Sequence, residues 1–463
     1  MSPFTGNRGY FIFSEKRARH RSFLSSHPPW SPLPVFGFPV ELTQHILSFC
    51  HPWDVANFSL TCSAAYILIY HASDQYLWRH LYNTSFDLPF SVADPTNRKE
   101  QMNWKDELTS RMRVELALFS CPMTHSEKLR MLRMLITVIQ DSSWAISRTG
   151  TSRNTAWLGR IMRQSLLLHN LYSVPESDSE EDAQLYAQLR AYLALIIDLI
   201  NDKKSLSKLI DRRDLSRAYV YNLLHYNAEN KWGPFLPDGR VNWIHAEHLI
   251  DVVALNVREL PGSWALTRPP SCLDPPRLSA IASSSFHKTD WQGLKVSTWR
   301  RYVCFMDYRT LLSGLFFYRK LTHPKFFKDP RFREATRLVE VKLHVVPCNQ
   351  LRFHRTISNA TPDHDIYPPL YFTGSSKGVN GNEAAVEGLV TMGQDGKARW
   401  QLISIYDGHP QWSSSGAQIG GIGSAMGVIG VWTTTHHDQD DPAGPFWLWK
   451  VEDNSPTHLM EFT

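Results

Sequence analysis

Fourteen of the chain's 24 glycines fall between residues 374 and 444, interleaved with Trp, Ile and Val. Glycine weakens a flat strand because it orders at a high entropic cost and brings no side chain to pack. At this density it predicts a strongly bent antiparallel sheet, a barrel or a sandwich, in which glycine relieves corners and close backbone approaches. "LVTMGQDGKARWQLISIYDG" (389–408) sets an Asp-Gly pair at 395–396 between two strand-like runs, a strong hairpin signal. "RLVEVKLHVV" (337–346) alternates as a half-buried strand does. "GAQIGGIGSAMGVIGVW" (416–432) invites a nucleotide-loop reading, but Met426 stands where the third glycine is needed. The closing "GVIGVW" reads as strand, leaving no helix N-terminus for a pyrophosphate, so a glycine-bent hairpin is expected.

Upstream the texture is helical. "SEKLRMLRMLITVIQ" (126–140) places Leu129, Leu132, Leu135 and Ile136 on one stripe. The acidic run before "AQLYAQLRAYLALIIDLI" predicts a helix start, with Ser179 and Asp182 arranged as a cap. "WGPFLPDGRVNWIHAEHLIDVVALNVREL" (232–260) is a Pro/Gly turn leading into a helix. A chain of 463 residues suggests two or three domains. Its net charge of +5 falls short of a nucleic-acid-binding composition. No apolar run reaches transmembrane length. No secretory signal opens the chain, and the basic "KRARHR" (16–21) reads as part of a disordered tail. The six cysteines are scattered without a Cys-x-x-Cys pair. They read as reduced thiols, which suits the cytoplasm or nucleus.

Catalytic constellations are wanting. "GSSKG" (374–378) matches a nucleophile elbow at Ser376, but a loop follows where a helix is required. His245 and His248 stand one turn apart in a pattern that fits no zinc-protease motif. "HHDQDD" (436–441) reads as a solvated loop before it reads as a cation site. No enzyme activity, metal or cofactor is therefore expected of the chain itself.

The most informative segment lies near the start. In "FGFPVELTQHILSFCHPWDVANFSLTC" (36–62), Pro39 suits a first helical position, and Leu42, Ile46 and Phe49 recur on one face. Asp54 is the expected cap of a second helix, with Val55, Phe58 and Cys62 continuing it. "SDQYLWRHLYN" (73–83) adds a short amphipathic helix. So few residues cannot enclose a core of their own. This segment resembles an F-box. Pro39, Glu41, Leu42, Ile46, Leu47, Phe49, Asp54, Val55, Leu60 and Cys62 stand at the pattern's places. Phe38 replaces the usual Leu, and "CSAAY" replaces the frequent Cys-Lys-x-Trp ending. "WGPFLPDGRVNW", "YDGHPQWSSSGAQIGGIGSAMGVIGVWT" and "DPAGPFWLWK" resemble an extended group of mushroom-type fungal F-box proteins with a Gly/Trp-rich C-terminal β domain.

The resemblance implies a non-catalytic substrate-recognition subunit of an SCF-type cullin-RING ubiquitin ligase. Its F-box would dock a Skp1-like adaptor through Pro39, Leu42, Ile46, Leu47, Val55 and Leu60. The expected fold is α+β, an N-terminal F-box and helical domain followed by an antiparallel β-barrel or sandwich. The expected parts are a tail (1–32), the F-box (36–82), a helical domain (97–260), a Pro/Ser-rich connector (261–290) and a β-rich recognition domain (291–463). Trp400, Tyr406, Trp412, Trp432, Phe446, Trp447 and Trp449 are candidates for contacting a protein substrate. The plainer reading is that most of them fill a barrel; aromatic-lined concave surfaces also make good recognition sites. The competing reading is a small-ligand-binding barrel or a scaffold anchored by the F-box. Neither nucleic acid nor membrane is an expected partner.

Overall fold

Glycine-rich strands with alternating apolar residues curl until their two edges meet. In a computed structural model, the C-terminal part is a closed antiparallel barrel of eight strands. The structure describes residues 37–72, 74–88, 102–119, 124–142, 152–165, 179–199, 203–259, 267–274, 291, 293–306, 323–329, 332–357, 367–379, 381–422, 424–438, 441–453 and 460–462. The expected N-terminal tail, "KRARHR" and most of the 261–290 connector lie outside them.

The strands are β1 (Val296–Met306), β2 (Glu334–Val346), β3 (Leu370–Lys377), β4 (Glu383–Met392), β5 (Ala398–Tyr406), β6 (His409–Gln418), β7 (Val428–Thr434) and β8 (Gly444–Val451). Each pairs with its neighbour in sequence, and β1 pairs with β8 to close the ring. A short β9 (Met460–Phe462) adds to β2 where β3 has ended. Closure removes the free edges that an open sheet would expose. The expected hairpins are present. Gly396 takes a positive φ of 68° in the β4–β5 turn. The 416–432 stretch is β6, a turn and β7, with Ile419 N–H donating to Gly427 O at 2.8 Å.

Directly opposed residues share a face of the sheet, so the registers assign the lining. Inner positions carry Trp299, Val341, Phe372, Val390, Trp400 and Leu448, all buried in one core. Gly388 faces Phe372 across the β3–β4 register, and the ring occupies the space a Cβ would need. The outer face of β7 and β8 is covered by a helix, Trp243–Arg258, against which the outward Trp447 and Trp449 are buried.

The helices are α1 (Val40–Leu47), α2 (Pro52–Ser59), α3 (Ser63–Tyr70), α4 (Tyr76–Ser85), α5 (Trp104–Phe119), α6 (His125–Ser142), α7 (Arg153–Gln164), α8 (Glu180–Leu193), α9 (Lys203–Val220) and α10 (Trp243–Arg258). The chain forms two compact units. One holds α1–α5; the other holds α6–α10 and the barrel. The stretch read from sequence as one helical domain (97–260) is thus shared between them. Polar side chains tie α8, α9 and α10 together within the second unit. Arg190 and Arg212 both pair with Glu247, and Arg212 Nε also donates to Asp251 Oδ2 at 2.6 Å. Arg217 of α9 reaches Glu334 at the start of β2, at 2.6 Å.

Three local expectations are corrected. Asp54 does not cap α2. Pro52 fixes φ without needing a donor, so the helix starts earlier, and His51 Nδ1 accepts from Trp53 N–H at 3.3 Å. Asp54 then sits in the first turn, where a carboxylate still meets the helix dipole favourably. Cys62 does not continue α2 but is the N-cap of α3, its Sγ accepting from Ala65 N–H at 3.5 Å. Ser179 is the N-cap of α8, yet its side chain makes no capping bond, and Asp182 pairs with His125 at 3.0 Å.

Candidate functional site

Helix α1 is folded inside out. It buries Thr43, Gln44 and Ser48 (2, 3 and 4% exposed) together with Leu47. It exposes Leu42 (50%) and Ile46 (55%), and Phe49 just past its end is 78% exposed. Two of the buried polar groups are satisfied locally: Ser48 Oγ donates to His45 O at 2.7 Å and Thr43 Oγ1 to Pro39 O at 3.4 Å. Water would favour the opposite rotation, since each exposed aliphatic side chain forgoes about 1.5–3 kcal/mol of burial.

The neighbouring helices explain why the rotation holds. Val55, Ala65, Ile69, Leu77, Leu81 and Tyr82 form the buried interior of the unit. Trp78 Nε1 donates to Ile69 O at 3.2 Å and joins α3 to α4. Helix α5 extends this core: Arg111 is buried with its guanidinium 4.9 Å from the Tyr82 ring centroid and 4.8 Å from that of Phe86. The interior is thus completed by α4 and α5, and the Leu42–Ile46–Phe49 stripe is left outside. Leu60 after α2 and Ile67 on α3 are likewise exposed (62 and 58%).

Of the six residues expected to dock an adaptor, Pro39, Leu42, Ile46 and Leu60 are exposed. Leu47 and Val55 are buried within the unit and offer no surface in this conformation. Phe49 stood on the helical stripe in the sequence but outside the docking set. Ile67, in an almost wholly apolar helix, gave no periodic signal.

The aromatic candidates of the barrel divide sharply. Trp400 and Phe446 are inner core residues, and Trp432 joins them, its Nε1 donating to Cys304 O at 2.9 Å. Trp447 and Trp449 are buried on the outer face, with Trp447 Nε1 donating to Met426 O at 2.7 Å. Tyr406 and Trp412, at the β5–β6 end, remain half-buried. Arg301, which no sequence pattern marked, also lies inside the barrel and is 6% exposed.

The discounted chemical motifs have structural roles. Ser376 lies within β3, with no turn into a helix. His245 is buried and His248 half-buried in α10, and the loss of solvation pushes their pKa values down to about 3 and about 4. His248 Nδ1 lies 3.0 Å from Ser216 Oγ, and His245 Nε2 lies 3.3 Å from Tyr226 OH. In the 436–441 loop, His437 stacks on Trp232 at 3.9 Å, and Asp441 accepts from Asp438 N–H at 2.8 Å. Among the described residues no group of three His, Cys, Asp or Glu is placed to hold a metal, and no helix is long and apolar enough to cross a membrane.

A family model described as F-box-like matches residues 37–84. No curated protein and no solved structure matches the chain. The inside-out helix α1 and its neighbours α2–α4 therefore make up an F-box-like domain, ahead of a closed eight-stranded barrel.

Proposed function

We propose that this chain is the substrate-recognition subunit of an SCF-type cullin-RING ubiquitin ligase. Its F-box-like domain docks a Skp1-like adaptor, and the remainder selects a protein substrate in the cytoplasm or nucleus. The observation that carries this reading is the orientation of α1. A helix that buries Thr43, Gln44 and Ser48 while exposing Leu42, Ile46 and Phe49 is shaped for a surface outside its own unit. Contiguous Leu, Ile and Phe with few central charges suit the core of a stable interface. Pro39 and Leu60 extend the surface. Such a subunit supplies no nucleophile. It raises the effective concentration of a substrate lysine beside a charged ubiquitin-conjugating enzyme.

For the substrate side, we propose the β5–β6 end of the barrel, where Tyr406 and Trp412 keep accessible surface, over the buried Trp400, Trp447 and Trp449. The experiment is affinity purification of the full chain and of its Leu42→Asp, Ile46→Asp double variant. Adaptor and cullin should accompany the first and be lost from the second. Equal recovery with both would remove the proposal.

A further inference from the structure

The interior of the barrel is packed at one end and accessible at the other. Trp299 and Trp400 meet edge to face at 5.2 Å and close the end nearest the start of β1. Toward the other end, Val303 and Phe305 of β1 and Val339 of β2 share the inner face by register yet are only half-buried. Trp412 of β6 is inner and half-buried as well. Inward apolar side chains that retain exposure mean that solvent reaches the lumen from this side.

Arg301 lies at the base of that accessible half. Its register partners Val339 and Leu448 put it on the inner face. Its Nη2 donates to Ser414 Oγ of β6 at 2.6 Å, and its guanidinium stands 4.5 Å from the centroid of Phe446. Strand β6 is three strands from β1 in the ring, so the side chain crosses the lumen. Its Nε is buried without an acceptor. Among the described residues no carboxylate pairs with it. Burial lowers its pKa to about 10, which leaves it charged at neutral pH. A buried cation without a counter-ion is costly unless an anion completes it.

We infer that the barrel binds an organic monocarboxylate head first, its carboxylate on the Arg301 guanidinium and its apolar or aromatic body between Val303, Phe305, Val339 and Trp412. A guanidinium fork matches a carboxylate in charge and geometry. One buried cation with one serine does not supply the donors that a phosphate dianion requires. Arg337, which faces Val303 on the inner side and is exposed, places further positive charge on the approach to the lumen. This inference stands apart from adaptor docking, because the barrel and the F-box-like domain lie in different units.

The test uses the full chain without adaptor and reads tryptophan fluorescence and calorimetry. The probes are octanoate and indole-acetate, their neutral amides, and benzyl phosphate. At least one carboxylate should bind at least tenfold more tightly than its amide. Arg301→Met should abolish that preference and, by removing an unpaired charge, leave the melting temperature of the free protein equal or higher. Should Arg301→Met fail to fold, Val339→Trp, which fills the accessible half, should weaken the same carboxylate at least tenfold. Octanoate against indole-acetate distinguishes an aliphatic from an aromatic ligand. No binding by either carboxylate, equal binding of acid and amide, or tighter binding of benzyl phosphate would overturn the inference.

Discussion

A single methyl group at Gly388 tests the reading of the barrel as a closed, packed ring. A Cβ there would lie 2.2 Å from Phe372 Cζ and 2.5 Å from Gln401 O. Ordinary carbon contacts begin near 3.4 Å, so each neighbour must retreat by about 1 Å. Neither has room. Phe372 is fully buried, its ring centroid 5.7 Å from that of Trp400. The Gln401 carbonyl belongs to β5, which is held on both sides by β4 and β6. Gly388→Ala should therefore cost about 3 kcal/mol, the upper part of the overpacking range. Gly378→Ala is the control: its Cβ would meet only Val339 Cγ1, at 3.7 Å, an ordinary contact. It should change stability by no more than about 0.5 kcal/mol. Adding Phe372→Leu to Gly388→Ala should restore part of the loss, because the ring clash is relieved and the carbonyl clash is not. The assay is thermal or urea unfolding of the full chain, followed by near-UV circular dichroism. Equal melting of the Gly388 and Gly378 variants would refute the packing argument.

Three further outcomes rest on the same structure. His245 and His248 have folded-state pKa values of about 3 and about 4, below the unfolded value near 6.5, because burial disfavours their charged forms. Their contribution is complete above about pH 6.5 and is lost as the pH falls, through a window down to about 3 for His245 and about 4 for His248, by about 1.4 kcal/mol per pH unit for each histidine. Urea midpoints at pH 6.5 and 5 should show a slope that shrinks in His248→Asn; an unchanged slope would contradict the assignment. Glu334→Gln leaves Arg217 buried without its partner on β2 and should destabilise by about 3 kcal/mol. Most of this should return in Arg217→Met, Glu334→Leu, and a neutral single variant would argue against the pairing. Ser376→Ala should leave hydrolysis of an ester probe at the uncatalysed rate of the parent, whereas turnover that disappears in this variant would restore a catalytic reading.

Much of the fold was legible because its signals are local. Alternation in β2, the Asp-Gly turn at 395–396 and the clustered glycines are local signals, and a bent antiparallel sheet follows from them. Whether the sheet would close was not legible, since closure rests on β1 pairing with β8 across about 150 residues. The F-box-like helices were placed by spacing, but their caps were not. Pro52 and Asp54 compete for the start of α2, and only the geometry shows that the proline prevails. Sequence spacing also cannot say which face of a short helix is solvent-facing. Leu42 and Leu47 read alike, and the packing of α1 on α3 and α4 decides that one is exposed and the other buried. The aromatic cluster was ambiguous for a related reason. Tryptophans signal a core as readily as a binding surface, and burial of Trp400, Trp447 and Trp449 is a property of the closed ring. Arg301 is silent in sequence because its significance lies in the partner it lacks.

The most direct test is calorimetry of the purified chain with a purified Skp1-type adaptor at several temperatures. Burial of the Leu42–Ile46–Phe49 stripe predicts saturable one-to-one binding with a negative heat-capacity change. Leu42→Asp with Ile46→Asp should weaken it at least a hundredfold without lowering the melting temperature of the free chain. Absence of binding by the parent chain, or equal affinity with both aspartates in place, would contradict the account.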